Sequence, residues 1–131
     1  MKKDIQIPEV NDVFLAVVKE YNETFRTDDW NVYIINNIPI TIEMVFIVSK
    51  GYDHQDTTST MRHKIEHMPA NSFAKVELIQ PELFKLHNEF KVSFFSKNQL
   101  LDKTFIFKQN SIKDGSLRMI PQLNKKGILK K

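Results

Sequence analysis

The chain has no cysteine. That excludes disulfide cross-links, thiolate zinc sites, iron–sulfur clusters and cysteine nucleophiles, and it suits a reducing compartment such as the cytoplasm. Glycine is nearly as scarce, with Gly51, Gly115 and Gly127 the only three. Loops that cradle phosphate need several glycines close together so that backbone amides can reach the anion, so neither a Walker-type loop nor a dinucleotide-binding turn can be drawn. No serine stands in a Gly-x-Ser-x-Gly elbow. No run approaches the roughly 18 apolar residues that a membrane helix requires. The start, Met1-Lys2-Lys3-Asp4-Ile5-Gln6-Ile7-Pro8-Glu9, carries the charges of a secretory leader without its apolar centre. These absences predict a cytoplasmic protein with no membrane partner, no metal and no cofactor.

What is present is enough to fold. The 131 residues leave room for one domain, which at this size buries about two-thirds of its unfolded surface. Hydrophobic residues make up 41% of the chain, and ten phenylalanines supply a large core without help from a metal. The net charge of +3 is unevenly spread. Residues 108–131 hold seven basic side chains against the single acid Asp114, a net of +6, so residues 1–107 carry −3. The division expected is a single domain over 1–131, with an N-terminal arm at 1–9, a β-domain at 10–107 and a basic, partly packed C-terminal segment at 108–131.

Period-two alternation dominates the body. From Pro39 to Ser49, Ile40, Ile42, Met44, Phe46 and Val48 fall on one face and Thr41, Glu43, Val45, Ile47 and Ser49 on the other. Trp30 to Asn36 is rich in β-branched and aromatic residues, and Asn36-Asn37-Ile38-Pro39 separates the two runs, which predicts a hairpin-like pair. Phe73 to Leu78 and the polar Thr57 to Ile65 read as further strands. Phe90 to Phe95 and Lys103 to Phe107 flank a turn near Ser96-Lys97-Asn98-Gln99, a second hairpin. Val10, Val13, Phe14, Val17, Val18 and Tyr21 recur at helical spacing, but the density of valine favours a strand. Pro81 to His87 reads as one short helix. About seven strands and one short helix predict a mainly β, immunoglobulin-like two-sheet sandwich, with an open α+β sheet as the alternative should residues 10–22 be helical. The C-terminal segment is expected either to pack through Ile112, Leu117, Met119, Ile120 and Leu123 or to be partly mobile at its end.

Few residues carry a chemical signature. His63 and His67 are four apart, which suits a shared metal on a helix; on a strand they lie about 13 Å apart, too far for one ion. The polar stretch Tyr52 to His63 gathers Asp53, Asp56, Arg62 and His63, a candidate ligand-binding cluster if the loop brings them together and a solvated loop with a polar edge strand if it does not. Phenylalanines alternate with lysines over 94–97 and 103–108, as in base-stacking platforms, although a sandwich core with lysines facing water produces the same pattern. Lys125, Lys126, Lys130 and Lys131 form a basic end that could contact phosphates, act as a partner-docking strand or only solubilise the chain.

The order of Trp30–Asn36, Thr58-Ser59-Thr60-Met61-Arg62-His63, Lys103–Phe107 and Ile120-Pro121-Gln122-Leu123-Asn124-Lys125-Lys126-Gly127-Ile128 resembles a family of short, uncharacterised bacterial proteins often labelled phenylalanyl-tRNA synthetase beta subunit. The resemblance covers nearly the whole length and matches no catalytic motif. It implies no aminoacylation, because a true beta subunit is several times longer and the aminoacylation site lies on the alpha subunit. The expectation is therefore a non-enzymatic binding or interaction domain that engages protein, itself included. The alternative is an RNA- or tRNA-binding accessory module using the basic end and exposed aromatics.

Overall fold

The computed structural model describes residues 10–131. The arm expected over residues 1–9 lies outside them. Nine strands follow in order: β1 (Val13–Asn22), β2 (Thr27–Asn36), β3 (Ile42–Tyr52), β4 (Met61–Met68), β5 (Ser72–Leu78), β6 (His87–Ser96), β7 (Gln99–Phe107), β8 (Arg118–Ile120) and β9 (Lys125–Lys130). They form two antiparallel sheets, β5-β2-β1-β9-β8 and β4-β3-β6-β7, which pack as a β-sandwich. The mainly β reading is borne out, and the C-terminal segment adds β8 and β9 to the seven strands expected. The expected helix at 81–87 shrinks to a 3-10 turn over Pro81–Leu83, with a second such turn at Asp114–Ser116. The strand expected from Thr57 starts at Met61, since Thr57 makes only an isolated bridge to Tyr52.

Residues 13–22 are a strand, and the reason for their misleading spacing is burial on both faces. Val13, Leu15 and Val17 enter the core between the sheets. Phe14, Ala16 and Val18 face outward into a second apolar cluster with Tyr33, Ile35, Ile120 and Leu123. A strand covered on both sides loses its polar alternation and reads as a continuous apolar run. The cover on the outer side is the C-terminal segment, so this segment is structure and not a free arm. β9 lies against β1 with Val17 opposite Ile128 and Val18 opposite Gly127. A Cβ at Gly127 would come within 2.6 Å of the Val17 carbonyl oxygen, so glycine is what lets the two strands close.

Two expectations about β3 are corrected. β2 and β3 do not form a hairpin: β2 pairs with β1 and β5, β3 pairs with β4 and β6, and the Asn36–Pro39 bend carries the chain from one sheet to the other. Asn36 holds that crossing. Its buried amide nitrogen donates to the carbonyls of Ile40 (3.1 Å), Met68 (3.2 Å) and Pro69 (2.9 Å), while its Oδ1 accepts the Ile38 N–H at 3.0 Å. The continuous alternation from Ile40 to Val48 also breaks. Met44 takes a left-handed φ of 50°, and an extra residue enters β3 against β6 between Glu43 and Phe46. Past this bulge the phase inverts, so Ile42, Val45 and Ile47 are buried while Met44 and Phe46 face out. Hydrophobicity on both faces hid the slip. The β6–β7 hairpin is as expected, closed by Lys97 and Asn98, both at positive φ (53° and 61°), which suits a two-residue turn matched to strand twist.

No helix among the described residues is long and apolar enough to cross a membrane.

Candidate functional site

The two sheets meet along β4 and β5, each the outermost strand of its own sheet. A bulge decides what stands at this seam. Val32 pairs with Glu77 but Tyr33 with Lys75, so Val76 is an extra residue in β5. The slip leaves Lys75 exposed and turns Glu77 toward the other sheet, although simple alternation puts the two on one face. Glu77 Oε1 there accepts the Ser49 hydroxyl at 2.8 Å and lies 2.8 Å from His63 Nε2. A carboxylate only accepts hydrogen bonds, so Nε2 is the protonated ring nitrogen in this pairing. The contact joins β4 to β5 and ties both to Ser49 on β3.

Beside this cluster lies a groove of about 230 Å³ walled by Met61, Ile79, Leu83 and Phe90, with Ser49, Glu77 and Asn88 at its inner side and Lys50, Thr58 and Ser59 completing its polar lining. Gly51 forms part of the wall. Its amide donates to Thr58 Oγ1 at 2.8 Å and its carbonyl accepts the Thr58 N–H at 2.8 Å, which holds the 53–58 loop against β3. Asn88 uses its amide nitrogen on the carbonyls of Leu83 (3.0 Å) and Leu86 (3.2 Å), leaving Oδ1 toward Gly51.

The chemistry open to this arrangement is acceptance of hydrogen bonds. A nucleophilic relay needs histidine between serine and acid, so that the imidazole takes the hydroxyl proton. Here the acid is in the middle, and the Ser49 proton is already given to Glu77. Among the described residues no group of three or more His, Asp or Glu side chains is placed to hold a metal ion.

The four residues of the polar stretch do not come together. Asp53 organises its own loop: its Oδ1 accepts the Gln55 N–H at 2.8 Å and the Asp56 N–H at 2.7 Å. Those two amide bonds, Asp56 first, hold its exposed carboxyl below the usual 3.8. The Asp56 carbonyl accepts the Asp53 N–H at 2.9 Å, and its side chain is exposed. Arg62 pairs with Val48 and lies exposed, while the next residue, His63, turns inward to Glu77. Only His63 reaches the groove's polar cluster. Ser49, Glu77 and Asn88 escape a sequence reading because each sits singly in a strand. The available signal is a lone polar residue on an otherwise apolar face, as with Ser49 beside Val45 and Ile47.

The basic end is equally dispersed. Lys125 bonds Glu20 Oε1 at 2.9 Å, Lys130 lies 6.0 Å from the centre of the Phe107 ring, Lys131 lies 5.7 Å from that of Phe14, and Lys126 is exposed opposite Met119. Glu20 is the hub of a polar network on the outer face of the five-stranded sheet, where Oε2 accepts from Tyr33 (2.6 Å) and Asn31 (2.8 Å). Burial disfavours ionisation of Glu20, but the bonds from Tyr33, Lys125 and Asn31 outweigh it and hold its carboxyl below the usual 4.5. Burial first, and then the bond to Glu20, push the Tyr33 hydroxyl above its usual 10.0.

The outer face of the four-stranded sheet is left open by the described residues. Met44 (38% exposed), Phe46 (41%), Phe95 (42%) and Leu100 (58%) lie toward one end of it, with Phe95 opposite Leu100 on the neighbouring strand. One row across all four strands reads Lys64, Phe46, Ser93, Asp102, and the next reads Arg62, Val48, Lys91, Thr104. Comparison with known proteins leaves the reading to these residues: no family model, curated protein or solved structure matches the chain.

Proposed function

We propose that the protein is a non-enzymatic, protein-binding domain, and that the partner its bare sheet fits is a second copy of itself. The observation that carries this is the unequal cover of the two outer faces. The five-stranded sheet is roofed over β1 and β2 by the chain's own Ile120 and Leu123 and exposes Phe73 at its β5 edge, whereas among the described residues nothing covers the group of Met44, Phe46, Phe95 and Leu100 on the four-stranded sheet. An uncovered apolar cluster rimmed by polar residues is the signature of an interaction surface. The charges make this face self-complementary. Lys64 and Asp102 end the same row on opposite edges, so a twofold axis along the strands sets each lysine against the aspartate of the other copy.

The RNA-binding alternative is less well supported. It needs the basic end and the exposed aromatics on one surface, yet β9 belongs to the five-stranded sheet and the bare phenylalanines to the other. On the sheet of those phenylalanines Glu43, Glu89 and Asp102 offset the basic Arg62, Lys64 and Lys91, and Lys64 already lies over the Phe46 ring at 5.8 Å. The resemblance to short bacterial proteins adds no activity to either reading. β1–β7 also support the immunoglobulin-like assignment, since β1–β2, β3–β4 and β6–β7 are hairpins and the chain changes sheet between them. A cytoplasmic setting agrees with the absence of cysteine.

Sedimentation velocity from about 1 μM to 1 mM protein tests the reading, because it spans the range of weak self-association. Dimerisation that Phe46→Glu and Phe95→Glu abolish, while leaving the melting temperature near that of the parent, is the expected result. A monomer throughout overturns it, and so does RNA binding that falls steeply between about 50 and 200 mM salt.

A further inference from the structure

We propose that the groove at the β4–β5 seam is a binding site for an alkylammonium group, presented either by a small free amine or by a lysine side chain. The inference stands apart from self-association, which uses the opposite face of the four-stranded sheet.

The polar lining of the groove is acceptor-rich. Ser49 and Asn88 are each 4% exposed, and the Glu77 side chain is 11% exposed. Glu77 places both of its protein hydrogen bonds on Oε1, from Ser49 and His63, so Oε2 takes none among the described residues. Asn88 has spent its N–H groups on two backbone carbonyls, so it offers Oδ1. Ser49 has given its proton to Glu77 and retains an oxygen lone pair. The register brings these groups together: Ser49 is opposite Phe90, and Gly51, two residues on, is opposite Asn88. The absence of a side chain at Gly51 keeps the approach to Asn88 Oδ1 clear, since a Cβ there would stand 3.4 Å from that oxygen.

A carboxylate oxygen and an amide oxygen that no described donor reaches, both open to the groove, favour a ligand that brings N–H groups and positive charge. An ammonium supplies three donors from a compact head. The apolar walls, Met61, Ile79, Leu83 and Phe90, fit a short alkyl stem. At about 230 Å³ the groove is smaller than the usual pocket for a whole cofactor, which points to one side chain or a small amine. Lys50 borders the groove, but its ammonium is directed to Glu89, 3.9 Å away, and to the Tyr52 ring, 5.6 Å from its centre.

The test is an NMR titration of the full chain with n-butylammonium chloride, compared with n-butanol and tetramethylammonium chloride. Saturable shifts at the amides of Ser49, Gly51 and Asn88 are expected with n-butylammonium. The two controls, one uncharged and one lacking N–H, bind about tenfold or more weakly, as expected when a charge-assisted hydrogen bond is lost. Glu77→Gln keeps the shape and an acceptor for Ser49 and loses the response. Gly51→Ala narrows the approach from a second direction and weakens binding even if Glu77→Gln fails to fold. Equal responses to n-butylammonium and n-butanol, or an undiminished response in either folded variant, overturn the proposal. Tighter binding of N-acetyl-lysine methylamide than of n-butylammonium assigns the site to a peptide lysine; equal binding assigns it to a free amine.

Discussion

Asn36 has no exposed surface, and its side chain serves four backbone groups at the point where the chain leaves one sheet for the other. Three of those groups are carbonyls, which only a donor can satisfy. Asn36→Ala leaves them bare and lowers unfolding free energy by about 2 kcal/mol. Asn36→Asp is worse, because it turns a buried carboxylate toward carbonyl oxygens, and a loss on the order of 3 kcal/mol or more is expected in urea denaturation. In sequence Asn36 is only one residue of an Asn-Asn-Ile-Pro break. Its turn chemistry is legible there, but its partners Met68 and Pro69 lie more than thirty positions away. The same limit applies to Glu77, whose partners stand on two other strands.

At the level of the element, local register accounts for what sequence could and could not show. The β6–β7 hairpin is legible because its turn sets the register from within, through Lys97 and Asn98. Replacing that pair with Asn-Gly, the dipeptide best suited to positive φ at both positions, raises stability by about 0.5–1 kcal/mol in the same assay. The bulge at Met44 is not legible, because Glu43 to Val48 offers apolar residues to both faces and either phase looks plausible. Met44→Gly relieves the left-handed backbone and raises stability by about 1 kcal/mol. β9 makes the opposite demand. Gly127→Ala drives a methyl against the Val17 carbonyl and costs about 1–3 kcal/mol. Gly115→Ala meets nothing within 4 Å and stays within about 0.5 kcal/mol of the parent.

For the whole molecule, the Glu20 network links β1, β2 and β9 and gives stability a pH window. Glu20 ionises below its ordinary 4.5 when folded, so its contribution is complete above that value and is lost as pH falls through the lower folded value. Tyr33 is held above its ordinary 10.0, so its contribution is complete below 10 and is lost as pH rises beyond it. Thermal melts across pH are expected to decline on both sides, with Glu20→Gln flattening the acid limb and Tyr33→Phe the alkaline limb. Sequence by itself determined that the chain is mainly β, where most strands run and how the β6–β7 hairpin turns, because alternation, valine density and turn residues act over a few neighbours. Only tertiary structure decided that β2 and β3 part into different sheets, that the basic end is a strand within one of them, and that Ser49, Glu77 and His63 meet. Those outcomes depend on bulges and on pairings between distant residues, where a slip of one position exchanges the buried and the exposed face.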